Sequence, residues 1–93
     1  MKNVVITGST RGIGFAMARE FLKAGCQVTL SGRGDALPEH AQAELLAYEG
    51  RFQYAPCDVR KKSDLEALWN AAVQRFGAID IRINNAGQNT PHA

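Results

Sequence analysis

Gly8, Gly12 and Gly14 follow directly on the apolar run Val4-Val5-Ile6. A continuous apolar run that stops at Thr7-Gly8 is the pattern of a strand covered on both faces. Behind the glycines, Ile13, Ala16, Met17, Phe21 and Ala24 recur at helical spacing, and Gly25 stands where a left-handed cap ends a helix. The order is therefore strand, glycine loop, helix. Within it Gly8 permits a sharp exit from the strand, and Gly12 lets backbone approach a ligand with no Cβ between them. Gly14 lets the new helix pack tightly on the sheet. The unpaired amides at the helix start, with their partial positive charge, then face an anion such as a pyrophosphate, and Arg11 adds a full charge. The spacing is G-x-x-x-G-x-G. That is neither G-x-G-x-x-G nor a P-loop, because no Lys-Ser/Thr follows the last glycine, so a Walker-type ATPase is disfavoured.

The rest of the chain repeats the alternation. Val28 to Ser31 reads as a second strand, and Pro38 suits the first turn of a helix that continues through Leu45 and Leu46 toward Gly50. Phe52 to Ala55 is a third strand. Pro56 cannot donate to a ladder, so this strand lies at a sheet edge or ends there. Ser63 and Glu66 form a capping box ahead of Leu65, Leu68, Trp69, Ala72, Val73 and Phe76, which trace one helix face that Gly77 closes. Ile79, Ile81 and Ile83 then alternate with Asp80, Arg82 and Asn84, a period-two strand leading into Asn85-Ala86-Gly87. The expectation is a single α/β domain over residues 1–93, Rossmann-like, with three layers in the order βαβαβαβ. Its parallel sheet runs 3-2-1-4, and residues 88–93 form a frayed tail.

Composition removes other classes. The formal charge of +2 is too small an excess to suggest a nucleic-acid partner. No apolar run reaches the roughly 20 residues of a membrane span, and none resembles a signal-peptide core, so the expected location is the cytoplasm. Cys26 and Cys57 are too few for a disulfide framework and have no metal-ligand spacing; both are expected to be reduced, at strand ends. His40 has no second ligand at metal spacing, and His92 falls in the tail, so no metal is expected. Arg60-Lys61-Lys62 reads as hydrated charge rather than a basic patch.

Through Thr7-Gly8-x-x-x-Gly12-Ile13-Gly14, Asp58-Val59 and Asn84-Asn85-Ala86-Gly87, the sequence resembles the short-chain dehydrogenase/reductase family. The resemblance covers nearly the whole chain but only the amino-terminal, cofactor-binding half of the family's usual domain, so the fold is expected to be truncated. It implies an oxidoreductase with a nicotinamide dinucleotide. In it, Gly8, Ser9, Thr10, Arg11, Gly12, Ile13 and Gly14 would hold the pyrophosphate and adenosine ribose. Asp58 and the Val59 backbone would meet the adenine edge, and Asn85, Ala86 and Gly87 would line the adenosine side while bracing the strand. The plain alternatives are a turn carboxylate for Asp58 and a simple turn for the Asn-Asn-Ala-Gly run.

Enzymes that prefer NAD carry an acidic residue at the end of the second strand, which accepts from the ribose hydroxyls. That place is held by Gly32, and Arg33 follows, whose guanidinium can grip a 2′-phosphate. With Arg11 in reach of the same phosphate, the expected cofactor is NADP(H) over NAD(H). Asp35 is the counter-candidate, as a ribose acceptor or a solvated residue before the second helix.

The chemistry that the resemblance implies needs a Tyr, a Lys four residues later, a Ser, and an Asn on the helix after strand four. None can be matched: the fourth residues after Tyr48 and Tyr54 are Phe52 and Asp58, and both tyrosines read as packing or surface residues. No catalytic residue is assigned, and the chain alone is expected not to catalyse. The alternative is a non-enzymatic nucleotide-binding or interaction module using the same half-fold. Arg82 departs from the apolar pattern of a central strand; it could pair with Asp80, or its face could be wet because strand four is an edge. By the right-handed crossover rule the first two helices cover one face of the sheet and the third half-covers the other. Self-association through the strand-four edge and the half-bare face is expected.

Overall fold

The computed structural model describes residues 1–85. The elements are β1 (Asn3–Thr7), α1 (Gly12–Lys23), β2 (Gln27–Gly32), α2 (Glu39–Leu45), β3 (Phe52–Pro56), α3 (Lys62–Phe76) and β4 (Ile81–Asn84), with a 3-10 turn at Leu46–Tyr48 after α2. The strands form one parallel sheet in the order β3-β2-β1-β4. This is the α/β Rossmann-like fold read from the sequence, with β3 at an edge and ending at Pro56. Expectations that fall on residues 86–93, namely Ala86, Gly87 and the tail, lie outside the described residues.

β1 is buried along its whole length because it has a strand on each side and a helical layer on each face. Val4 and Ile6 point to one layer with Val28 and Leu30, where Phe15, Ala18 and Leu22 of α1 and Ala41 and Leu45 of α2 meet them. Val5 points to the opposite layer, against Leu68 and Ala72 of α3 and Cys57. The two-and-one division of helices follows from right-handed crossovers on a 3-2-1-4 sheet. Leu22, Leu30 and Leu45 are fully buried, each contributing about 1.5–3 kcal/mol of transfer free energy.

Three local expectations are corrected. The buried stripe of α1 is Gly14, Phe15, Ala18 and Leu22, whereas Ala16 and Ala24 are exposed and Ile13 is 74% exposed. Both sets have helical spacing; the tight seat of Gly14 on the loop after β1 selects between them. Pro38 stands just before the first turn of α2, with extended ψ of 151°. The capping box of α3 does not form, because the helix begins at Lys62 and Ser63 falls inside the first turn. The Asp64 carboxylate instead accepts from the Asp58 amide at 2.9 Å.

Asp80 and Asn3 exchange two hydrogen bonds at the other end of the sheet, from Asn3 N to the Asp80 carboxylate at 2.8 Å and from Asp80 N to Asn3 O at 2.9 Å. Asp80 is thereby occupied with Asn3, and Arg82 lies over the Trp69 ring, 4.9 Å from its centre, on the exposed side of β4. Cys26 and Cys57 are free thiols flanking β2 and β3. The described residues contain no helix long and apolar enough to cross a membrane.

Candidate functional site: a cleft at the carboxyl ends of the strands

All four strands point their carboxyl ends to one edge of the sheet, and there the chain opens a cleft of about 1120 Å³. In open parallel sheets this is the edge where ligands bind, beside the strand whose neighbours lead off in opposite directions. That strand here is β1, between β2 and β4.

The loop after β1 is built for close approach. Gly8 and Gly12 have φ of 60° and 64°, a left-handed backbone that only glycine adopts without strain. A Cβ at Gly12 would meet nothing within 4 Å, so this glycine faces open space. A Cβ at Gly14 would collide with the Gly8 carbonyl oxygen and come within 2.8 Å of Asn85 Nδ2. Gly14 is therefore the packing glycine and Gly12 the one beside the cleft. The first turn of α1 holds no acidic residue and its start has no side-chain cap, which leaves its leading amides without an intrahelical acceptor. An anion at this end would satisfy them.

Of the residues expected at the site, Gly8, Thr10, Arg11, Gly12 and Ile13 line the cleft on the α1 side. Arg33, Val59 and Asn85 line it from the ends of β2, β3 and β4. Three expected residues stand outside the lining, the first being Gly14, which packs on the loop. Ser9 is fully buried: its hydroxyl donates to Ile6 O at 2.8 Å and accepts from Ser31 N at 2.9 Å, stitching the loop to β2. Asp58 is not in the lining; Arg60 donates to its carboxylate from Nε at 3.0 Å and from Nη2 at 2.9 Å. These bonds, with the charge of Arg33 adding to them, hold the Asp58 carboxyl well below the usual carboxylate range. Asp35 is exposed and outside the lining.

Sequence reading missed several lining residues, among them Cys57, Gly34, Asn84 and Arg82. Topology supplies the signal for Gly34 and Cys57, just beyond β2 and β3, and for Asn84, the last residue of β4, because the carboxyl ends of parallel strands reach this edge; Arg82, inside β4, carries no such signal. The arginines in the lining are Arg11, Arg33 and Arg82, and no Asp or Glu joins them among the described residues. The Tyr54 hydroxyl donates to Gly34 O at 2.6 Å, pinning the loop that carries Arg33. Burial, then the charges of Asp35 and Cys57, raise its pKa, which keeps the hydroxyl a donor. His40 is exposed with its ring edge-on to Phe15, and the described residues hold no cluster of metal-ligating side chains.

The sequence pattern of the short chain dehydrogenase family matches residues 2–93. The chain belongs to that family. Among its relatives in the short-chain dehydrogenase family, chlorophyll(ide) b reductase NOL, chloroplastic, of Oryza sativa subsp. japonica is 46% identical over 89 residues. That alignment takes in 94% of this chain and 26% of the rice protein. Two solved structures share the fold. The actinorhodin polyketide ketoreductase F189W with NADPH superposes with a TM-score of 0.81 at 36% identity, over 94% of this chain and 34% of that one. The NADH-dependent reductase A1-R′ complexed with NAD superposes with a TM-score of 0.77 at 37% identity, over 89% of this chain and 35% of that one. The chain spans about a quarter of the length of the first curated relatives it matches.

Proposed function

We propose that the cleft binds the diphosphate of a nicotinamide dinucleotide at the start of α1, with NADP(H) preferred over NAD(H). The observation that carries this reading is the cleft's one-sided charge: three arginines and an uncapped helix start around a glycine of positive φ, with no carboxylate in the lining among the described residues. Phosphate groups fit such a donor set.

In this reading the Gly12 and Ile13 amides receive the diphosphate, and Thr10 and Arg11 close over it. Val59 and Asn85 flank the adenosine; Ala86 and Gly87, outside the described residues, are assigned to the adenosine side by the family motif alone. Arg33 meets the 2′-phosphate, where the absence of a side chain at Gly32 leaves no carboxylate to repel it. A side chain at Gly32 would be crowded, since its Cβ would lie 2.8 Å from Thr10 Cγ2 and 3.3 Å from the Tyr54 hydroxyl. When bound, the nicotinamide supplies or accepts hydride.

The family and its reductase relatives make a hydride transfer between the cofactor and a carbonyl or alcohol the activity proposed for the whole protein. For these 93 residues the proposal is cofactor binding without catalysis, because they carry no Tyr-x-x-x-Lys and Tyr54 is committed to Gly34. The same observation favours a second reading, a nucleotide-binding module with no enzymatic role. Chemical-shift mapping tests the shared claim. Inorganic pyrophosphate and NADP⁺ should each move the amide signals of Gly12 and Ile13 first, and shifts confined to other faces would overturn it.

We also propose that β4 pairs with a second copy. Among the described residues it pairs with β1 alone, and Ile81 and Ile83 are half-buried. Light scattering should give a dimer or larger species at working concentration, and a monomer contradicts this. The proposed compartment is the cytoplasm, with neither nucleic acid nor membrane as partner; cell fractionation checks it.

A further inference from the structure

Arg82 is the one arginine of the cleft lining to which the proposed binding mode assigns no contact. Along β4, Ile81 and Ile83 turn toward the α1–α2 layer, and Arg82, in register with Val5, turns toward α3. Its guanidinium forms no ion pair among the described residues, and the nearest carboxylate in sequence, Asp80, accepts from the Asn3 amide. Arg75 lies over the Phe76 ring at the end of α3, outside the cleft, and three further arginines have acceptors. Arg19 pairs with Glu44 and Arg60 with Asp58, and Arg51 donates to the carbonyls of Cys26 and Leu22. Arg11, Arg33 and Arg82 have no ion-pair partner among the described residues, and all three line one cleft.

We propose that Arg82, seated on Trp69, is a third anion-binding residue of this cleft and takes a phosphate oxygen of the bound dinucleotide. The inference rests on the proposed cofactor reading and extends it to a side chain outside the glycine loop. Three features carry it. The indole lies against the guanidinium, which restricts the side chain before ligand arrives, and none of its N–H groups is spent on an ion pair among the described residues. Its charge stands in the lining without a counter-charge, so binding an anion there breaks no existing ion pair. A third cation also complements a ligand that carries a 2′-phosphate, which adds about −1.5 to −2 of charge beyond the diphosphate.

Trp69 is the chain's one tryptophan and reports on this contact directly. The experiment titrates NADP⁺ and NAD⁺ into the full chain and into Arg82→Met and Arg82→Lys, by calorimetry and by tryptophan emission. Circular dichroism checks that each variant is folded. The wild type should bind NADP⁺ with a change in Trp69 emission as the guanidinium is drawn toward phosphate. Arg82→Met should bind NADP⁺ about tenfold more weakly, the loss expected of one charge-assisted hydrogen bond, with a smaller loss for NAD⁺. Its affinity should also depend less on salt. Arg82→Lys, which keeps the charge, should recover most of the affinity. If folded Arg82→Met binds NADP⁺ as tightly as the wild type, the inference fails while the cofactor reading stands. If the wild type binds neither dinucleotide, both fail together.

Discussion

Asn85 Nδ2 donates to the Gly8 carbonyl oxygen across 3.0 Å, fastening the chain just beyond β4 to the turn just beyond β1. Gly14 packs directly beneath this link. The glycine loop is therefore held from three directions: by β1 before it, by α1 after it, and by a side-chain amide from the far end of the described chain.

Gly14→Ala puts a methyl group where the Gly8 oxygen and the Asn85 amide already are, both of them poorly able to move. Urea denaturation should show a loss of about 2 kcal/mol or more, the upper part of the range for overpacking. Gly12→Ala meets no atom and bears only the cost of its left-handed backbone, about 1 kcal/mol. Equal losses for the two variants would contradict the division of labour between these glycines.

Introducing a carboxylate at the end of β2 tests the cofactor preference and the packing together. Gly32→Asp should lower affinity for NADP⁺ by at least tenfold through repulsion of the 2′-phosphate, and it should also cost stability because its Cβ meets Thr10 Cγ2 at 2.8 Å. Adding Thr10→Ser, which removes that methyl, should restore stability without restoring NADP⁺ affinity. Thermal melts and calorimetry separate the two effects.

The Asp58–Arg60 pair sets an acid-side dependence. The Asp58 pKa is depressed in the fold, chiefly by hydrogen bonds from Arg60, so its contribution is fully present above the unfolded carboxylate value of about 4. It is lost as pH falls through the lower folded value. Asp58→Asn should thus be less stable than wild type at neutral pH, with the gap closing on acidification. Urea midpoints of both proteins across an acid pH series check this, and a gap that widens on acidification contradicts it.

The βαβ order, the 3-2-1-4 sheet and the position of the glycine loop were legible because period-two and period-3.6 patterns, turn residues and crossover handedness are local or topological rules. What was not legible depends on contacts far apart in sequence. Ile13, Ala16 and Ala24 read as well on a helix as Phe15, Ala18 and Leu22, and only the seat of Gly14 against Gly8 and Asn85 decides the rotation of α1. Ser9 looks like a loop hydroxyl free for a ligand, yet it completes the ladder to Ser31 that β1 no longer provides. Ser63 has the chemistry of a cap but sits inside the first turn, and Asp64 serves the neighbouring loop instead. Arg82 was visible as an anomaly, but its seat on Trp69 requires α3 to cross that face of the sheet.

Calorimetric titration of the chain with NADPH and with NADH, side by side at low salt and repeated on Arg33→Ser, is the most direct measurement of the central claim. Both should bind saturably, NADPH tighter by at least tenfold, with that advantage lost in Arg33→Ser. Absence of saturable heat with either dinucleotide, or equal affinity for the two in the wild type, would contradict it.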